Sequence, residues 1–125
     1  MADSFHTERA APPVGAYPHA RRVGDLLFLS GVGPRGVDGT IPVGIEAQTL
    51  ATFANVRAIL EDAGSAWERL VDVTVFLTDM RDDFAPYNRL WAEHFPHDPP
   101  CRTTIGVTAL PTPIRIELKC VATID

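Results

Sequence analysis

The sequence predicts an α+β domain in which one sheet carries two helices on a single face. Three observations lead there. Apolar and alternating runs at 26–31, 70–79, 102–109 and 114–124 have the composition of strands. Two segments, 45–63 and from 82 or 83 to 95, place apolar residues at three- and four-residue steps, as amphipathic helices do. The order of these pieces is strand, loop, helix, strand, helix, strand, strand, which suits two helices laid on one sheet.

At 125 residues the chain is long enough for one domain, 1–125, with a real core. Its 46% hydrophobic and 22% charged content is ordinary for a folded protein, so disorder is not expected. The net charge of −5 and scattered basic residues argue against a protein that grips nucleic acid. No basic-then-apolar leader opens the chain, and no apolar run approaches the roughly 20 residues of a membrane span. Cys101 and Cys120 lie outside any C-x-x-C pair and fit free thiols in a reducing cytoplasm. A disulfide between them would require their strands to pair.

Residues 1–13 are polar and end in "APP", which reads as a loose lead-in or a short edge strand. "LLFLSG" (26–31) reads as a buried strand stopped by Gly31, and the glycine- and proline-rich stretch 33–44 as loop or hairpin turn. The first helix turns Ile45, Thr49, Phe53, Val56 and Leu60 inward, leaves Glu46, Gln48, Arg57 and Glu61 outside, and closes on Gly64. "SAWE" (65–68) has the form of a capping box opening a short helical turn. In "LVDVTVFLTD", Val71, Val73, Val75 and Leu77 alternate with Asp72, Thr74, Phe76 and Thr78. The second helix takes Asp82 or Asp83 as its cap and gathers Phe84, Tyr87, Leu90, Trp91 and Phe95, until "FPHDPP" breaks it. The last two strands form a hairpin through "LPTP". Ile114, Ile116, Leu118, Cys120, Ala122 and Ile124 then share one face, and Arg115, Glu117, Lys119 and Thr123 the other.

That charged face must be wetted or covered. No G-x-S-x-G, phosphate loop, GxGxxG or H-E-x-x-H is present, and His6, His19, His94 and His97 are not spaced as metal ligands. Arg102 reads either as a surface partner for a carboxylate such as Asp98 or as an anchor for a substrate carboxylate. Glu117 is either one of three charges on a strand face or, if partly desolvated, an acid–base group. Tyr17, His19 and Gly31 are, taken singly, ordinary loop residues.

Six blocks in order, "GAYPHA", "GDLLFLSGVGP", "EAQTLATFANVRAILEDAG", "VDVTVFLTDM", "YNRLWAEHF" and "CRTTIGVTALPTPIRIELKCVA", resemble the Rid (YjgF/YER057c/UK114) family of imine and enamine deaminases from about residue 13 onward. The resemblance implies a chorismate-mutase-like fold: a mixed sheet backed by two helices, three copies enclosing a central barrel, and sites in clefts between neighbouring subunits. It also implies cofactor-independent hydrolysis of an enamine or imine carboxylate to the keto acid and ammonia, with neither metal nor organic cofactor. Arg102 matches the arginine that holds the substrate carboxylate, and Glu117 the glutamate that activates water. Tyr17, Gly31 and Asn88 match cleft positions, and backbone near Thr104 matches substrate-binding amides.

The chain departs from the family pattern at "GAYPH", at Val32 and at Thr104. The set "YPH", "RTT" and "LPTP…IELK" is similar to the 2-aminomuconate deaminases of aromatic degradation. Their substrate carries two carboxylates, and His19 is the candidate for the second. The alternatives are a non-enzymatic trimeric metabolite-binding or chaperone-like protein and, disfavoured by the acidic charge, an endoribonuclease.

Overall fold

Six strands and two helices form within residues 3–124, which the computed structural model of the chain describes. In chain order they are β1 (Asp3–Phe5), β2 (Ala20–Val23), β3 (Leu26–Leu29), α1 (Ile45–Asp62), β4 (Leu70–Leu77), α2 (Met80–His94), β5 (Cys101–Gly106) and β6 (Ile116–Thr123). They make one mixed sheet in the order β1-β2-β3-β6-β4-β5, antiparallel throughout except for β4 and β5. The chain crosses from β3 to β4 through α1, and from β4 to β5 through α2. Both crossovers step in the same direction along the sheet, so right-handed connections put both helices on one face. The α+β class with two helices on one face is therefore what forms.

The core lies between that face and the helices. Leu27, Leu29, Val73, Val75, Leu77, Ile116, Leu118, Cys120 and Ala122 rise from the sheet to meet Phe53, Val56, Leu60, Tyr87, Leu90 and Trp91. Burial lifts the Cys120 thiol to a pKa of about 12, which leaves it inert as a nucleophile. Cys101 is exposed, and both cysteines are free.

Several expectations are corrected. The last two strands do not form a hairpin: β4 lies between them, pairing parallel with β5 and antiparallel with β6. A Cys101–Cys120 bridge loses its premise with it. Of the two readings of the lead-in the short edge strand is the one that forms, as β1, and the rest is not loose where it is described, residues 1 and 2 lying outside that range. Phe5 pairs with Ala20, Ala10 is buried, and Arg9 bonds to Glu61 and Asp62 on α1. β2 was not foreseen, because "ARRV" shows no apolar alternation. It joins β3 through a two-residue turn in which Gly24 adopts φ +61, as such a hairpin requires.

In β3 only Leu27 and Leu29 are buried, while Leu26 and Phe28 point to the other face. A bulge between Leu70 and Asp72 turns Val71 outward and Leu70 inward, which breaks the expected alternation at its first member. Gln48 is buried rather than outside, bridging the carbonyl of Pro42 and the amide of Arg115. "SAWE" makes no capping box: a 3-10 turn starts at Trp67, and the Ser65 hydroxyl donates to Thr123 O. Asp79, not Asp82 or Asp83, caps α2 by accepting from the Asp82 amide. Asp83 is buried and holds Arg115 through two bonds of 2.8 and 2.7 Å, so Arg115 belongs to α2's surroundings and not to the open sheet face.

Candidate active site

The register of the sheet divides the candidate residues into two groups. Arg102 stands opposite Val73, a core residue, so its side chain projects on the helix side of the sheet at edge strand β5. Thr104 does the same opposite Val75. Glu117 stands opposite Phe76 and alternates with the buried Ile116 and Leu118, so it projects from the opposite face.

On the helix side, α2 supplies the surroundings of Arg102. Its Nη1 donates to Asn88 Oδ1 at 2.9 Å, and its guanidinium carbon lies 5.2 Å from the Tyr87 ring centre and 5.1 Å from that of Trp91. These rings face a cation with their electron-rich surfaces and hold the guanidinium plane in place. Tyr87 and Asn88 are neighbours in sequence, and Trp91 is one helical turn on. The Tyr87 hydroxyl and Thr104 Oγ1 are 2.9 Å apart, which fixes the threonine. Among the described residues no carboxylate pairs with Arg102, and the expected surface partner Asp98 is not engaged. An arginine positioned by an amide oxygen and aromatic rings, with no carboxylate partner, has the form of a carboxylate receptor.

On the other side, Glu117 lines a cleft with Tyr17, His19, Ser30, Gly31 and Arg35. The cleft opens where β3 leaves its partner. Phe28 pairs with Val121, but four residues later Val32 pairs with Leu118, so β3 carries one residue more than β6 and bulges at Ser30–Gly31. The carboxyl group of Glu117 lies against that bulge. A Cβ on Gly31 would stand 2.7 Å from Glu117 Oε2, so only glycine admits the contact. Burial without a compensating cation raises the Glu117 pKa above its usual 4.5. Lys119, next on the same face, sends its ammonium instead to Leu29 O.

Tyr17 is exposed at the cleft rim, where its hydroxyl accepts from the Val14 amide at 3.2 Å. His19 is buried, and both its nitrogens are occupied: Nδ1 accepts from the Thr7 amide at 3.1 Å, and Nε2 lies 2.8 Å from Ala11 O. The ring therefore pins the N-terminal segment, with no nitrogen left for a ligand. Sequence reasoning missed Arg35 and Asn55. A lone arginine in a glycine-rich loop carries no periodic signal, and nothing in the spacing of α1 sets Asn55 apart from its other polar residues. One chain thus brings Arg102, Asn88 and Thr104 together, and separately Glu117, Gly31, Tyr17 and His19, but it does not bring the two groups together. Among the described residues no cluster of three or more His, Cys, Asp or Glu side chains is placed to hold a metal. Among the described residues no helix is long and apolar enough to cross a membrane.

Comparison with known proteins agrees with this architecture. Residues 7–124 match the family described as Endoribonuclease L-PSP. A RutC family protein of Saccharolobus solfataricus is 36% identical over 124 residues, covering 98% of each chain. The chloroplastic Reactive Intermediate Deaminase A of Arabidopsis thaliana is 35% identical over 125 residues, covering 94% of this chain and 64% of that protein. The crystal structure of yeast Mmf1 superposes with a TM-score of 0.95 at 30% identity over the whole of both chains. A family match spanning nearly the whole sequence, shared with relatives of this identity and coverage, means that the chain belongs to the Endoribonuclease L-PSP family, which includes the RutC and Rid proteins.

Proposed function

We propose that the protein hydrolyses enamine or imine carboxylates to keto acids and ammonia, without a cofactor, at sites each built by two copies of a homotrimer. One observation carries this reading: a carboxylate-free arginine and a half-buried glutamate of raised pKa lie on opposite faces of one chain. Family membership and the deaminase name of the Arabidopsis relative support the reaction class. Assembly is supported by the open sheet face, which exposes Val23, Leu26, Phe28 and Ile105 around Glu117 and Lys119. Apolar patches of this kind mark interfaces, and a closed ring of identical contacts covers them with no other partner.

In this reading Arg102 of one copy fixes the substrate carboxylate, and orientation supplies much of the rate. An enamine first takes a proton on carbon and gives up one from nitrogen, which makes it the imine. Glu117 of the neighbouring copy then accepts a proton from water as the water oxygen bonds to the imine carbon. The same carboxyl group returns that proton to nitrogen, which gives the carbinolamine; it then carries the hydroxyl proton to nitrogen, so that the C–N bond breaks as C=O forms and ammonia leaves. A raised pKa serves a group that must both take and give a proton. Tyr17, Gly31, Asn88 and Thr104 shape the pocket. The specialised form of the proposal has 2-aminomuconate as substrate, and its second carboxylate needs a donor other than His19.

Arg102→Ala and Glu117→Ala are expected to stay folded and assembled while losing ammonia release from a freshly generated 2-imino acid. Full activity in both variants would remove the proposed site. The family's descriptive name raises RNA cleavage as a second reading, which the net charge of −5 disfavours. Nuclease activity that survives repurification and disappears with Arg102→Ala would favour it instead.

A further inference from the structure

We infer that Arg35 is a second anion-binding group in the Glu117 cleft and selects substrates with two carboxylates. The inference rests on the deaminase reading for its chemistry, but its geometry stands alone. Arg35 lines the same cleft as Tyr17, Gly31 and Glu117. Its position is set by the backbone: Asn55 Nδ2 on α1 donates to Gly33 O and to Arg35 O, at 2.9 Å each. The loop carrying the arginine is therefore tied to a helix and does not swing free.

The side chain is tied just as selectively. Among the described residues its one hydrogen bond runs from Nη2 to Pro12 O, and no carboxylate pairs with it. A guanidinium has five N–H donors in a plane, so a two-pronged face remains open to a carboxylate. Elsewhere in the chain Arg9, Arg89 and Arg115 each hold at least one acidic side chain. Arg35 shares a cleft with Glu117, yet the two form no ion pair.

The consequence follows from where the first carboxylate goes. Arg102 of a neighbouring copy takes the carboxylate beside the imine carbon, and Glu117 takes the water. Arg35 then stands on the Glu117 side to receive an anionic group at the far end of the substrate. The ligand class is a 2-imino or enamine dicarboxylate. His19 does not compete for this role, since its ring nitrogens are already engaged with Thr7 and Ala11.

Calorimetric titration of the full-length protein with stable 2-oxo acids tests the assignment whether or not turnover is seen. Wild type is expected to bind at least one of oxaloacetate, 2-oxoglutarate and 2-oxoadipate about tenfold more tightly than 2-oxobutanoate. Arg35→Gln should reduce that preference to about twofold or less, and Arg35→Lys should retain part of it. Equal binding of all four acids by wild type overturns the inference. So does an Arg35→Gln variant, folded by circular dichroism, that keeps the preference or weakens every acid in the same proportion. Arg102→Gln separates the two levels. If it weakens neither class of acid, the proposed active site itself is wrong; if it weakens both while Arg35→Gln is not selective, only the role of Arg35 falls.

Discussion

Arg102 and Glu117 sit on opposite faces of one sheet, on strands kept apart by β4. Two inter-strand steps separate them by about 10 Å sideways, and the sheet itself lies between their side chains. They meet only if one copy's β5 edge approaches another copy's open face. Assembly then becomes part of the chemistry, not merely a source of stability.

A mixing experiment reads this directly. Arg102→Ala and Glu117→Ala subunits should each be inactive alone, whereas mixed assemblies regain activity. Where one subunit contributes Glu117 and its neighbour Arg102, an intact site forms. Random mixing of equal amounts in a ring restores about a quarter of the sites. Ammonia release after co-refolding measures it, and no recovery in verified mixed oligomers would place both residues in one subunit's site.

Gly31→Ala should damage activity far more than folding. The new methyl would stand 2.7 Å from Glu117 Oε2 and 3.0 Å from its Cδ, and a side-chain carboxyl can swing away. Stability should fall by about 1 kcal/mol, at the low end of overpacking costs. Turnover should fall by about tenfold to a hundredfold, because a displaced proton carrier loses its alignment. Urea unfolding and ammonia release from the same preparation separate the two effects, and a stable variant with full turnover would deny Glu117 its role.

The helices were the most legible part of the sequence, because their period is local. Ile45, Phe53, Val56 and Leu60 announce α1, and Gly64 at φ +87 ends it. Strand order was not legible, because pairing partners are remote in sequence. The alternation runs to Ala109 and resumes at Ile114, so "LPTP" has the length of a hairpin loop, and the nine-residue connection 107–115 appears only in the structure. The bulges at Leu70–Asp72 and Ser30–Gly31 leave no mark on composition, yet one reverses Val71 and the other opens the cleft. For the site, strand patterning alone left Arg102 and Glu117 undecided between surface charges and a working pair. The six-block resemblance singled them out, and only the register shows that they point apart.

The Arg115–Asp83 pair should be asymmetric under mutation. Asp83 is 1% exposed, whereas the Arg115 side chain is 41% exposed. Arg115→Ala strands a carboxylate in the interior and should cost about 3 kcal/mol, the lower end for breaking a buried pair. Asp83→Ala leaves a guanidinium that water can still reach and should cost less. Urea midpoints at neutral pH rank the two, and a larger loss for Asp83→Ala would show that the aspartate matters chiefly for something other than this pair.

Glu117 also gives stability a pH dependence of defined sign. Burial raises its folded pKa above the ordinary 4.5, so between those values the folded chain holds a proton that the unfolded chain has released. Its contribution is fully present below the ordinary value and is lost as pH rises through the folded one. Glutamine has no charge to bury, so Glu117→Gln escapes that loss. Melting curves of the two proteins should give a difference near zero at about pH 4. The difference should turn in favour of Glu117→Gln as pH rises through the folded pKa, then level off. A difference that stayed flat with pH, or that grew in favour of the wild type, would mean that the carboxylate is stabilised in its charged form, and with it would go the reason for Glu117 to shuttle protons.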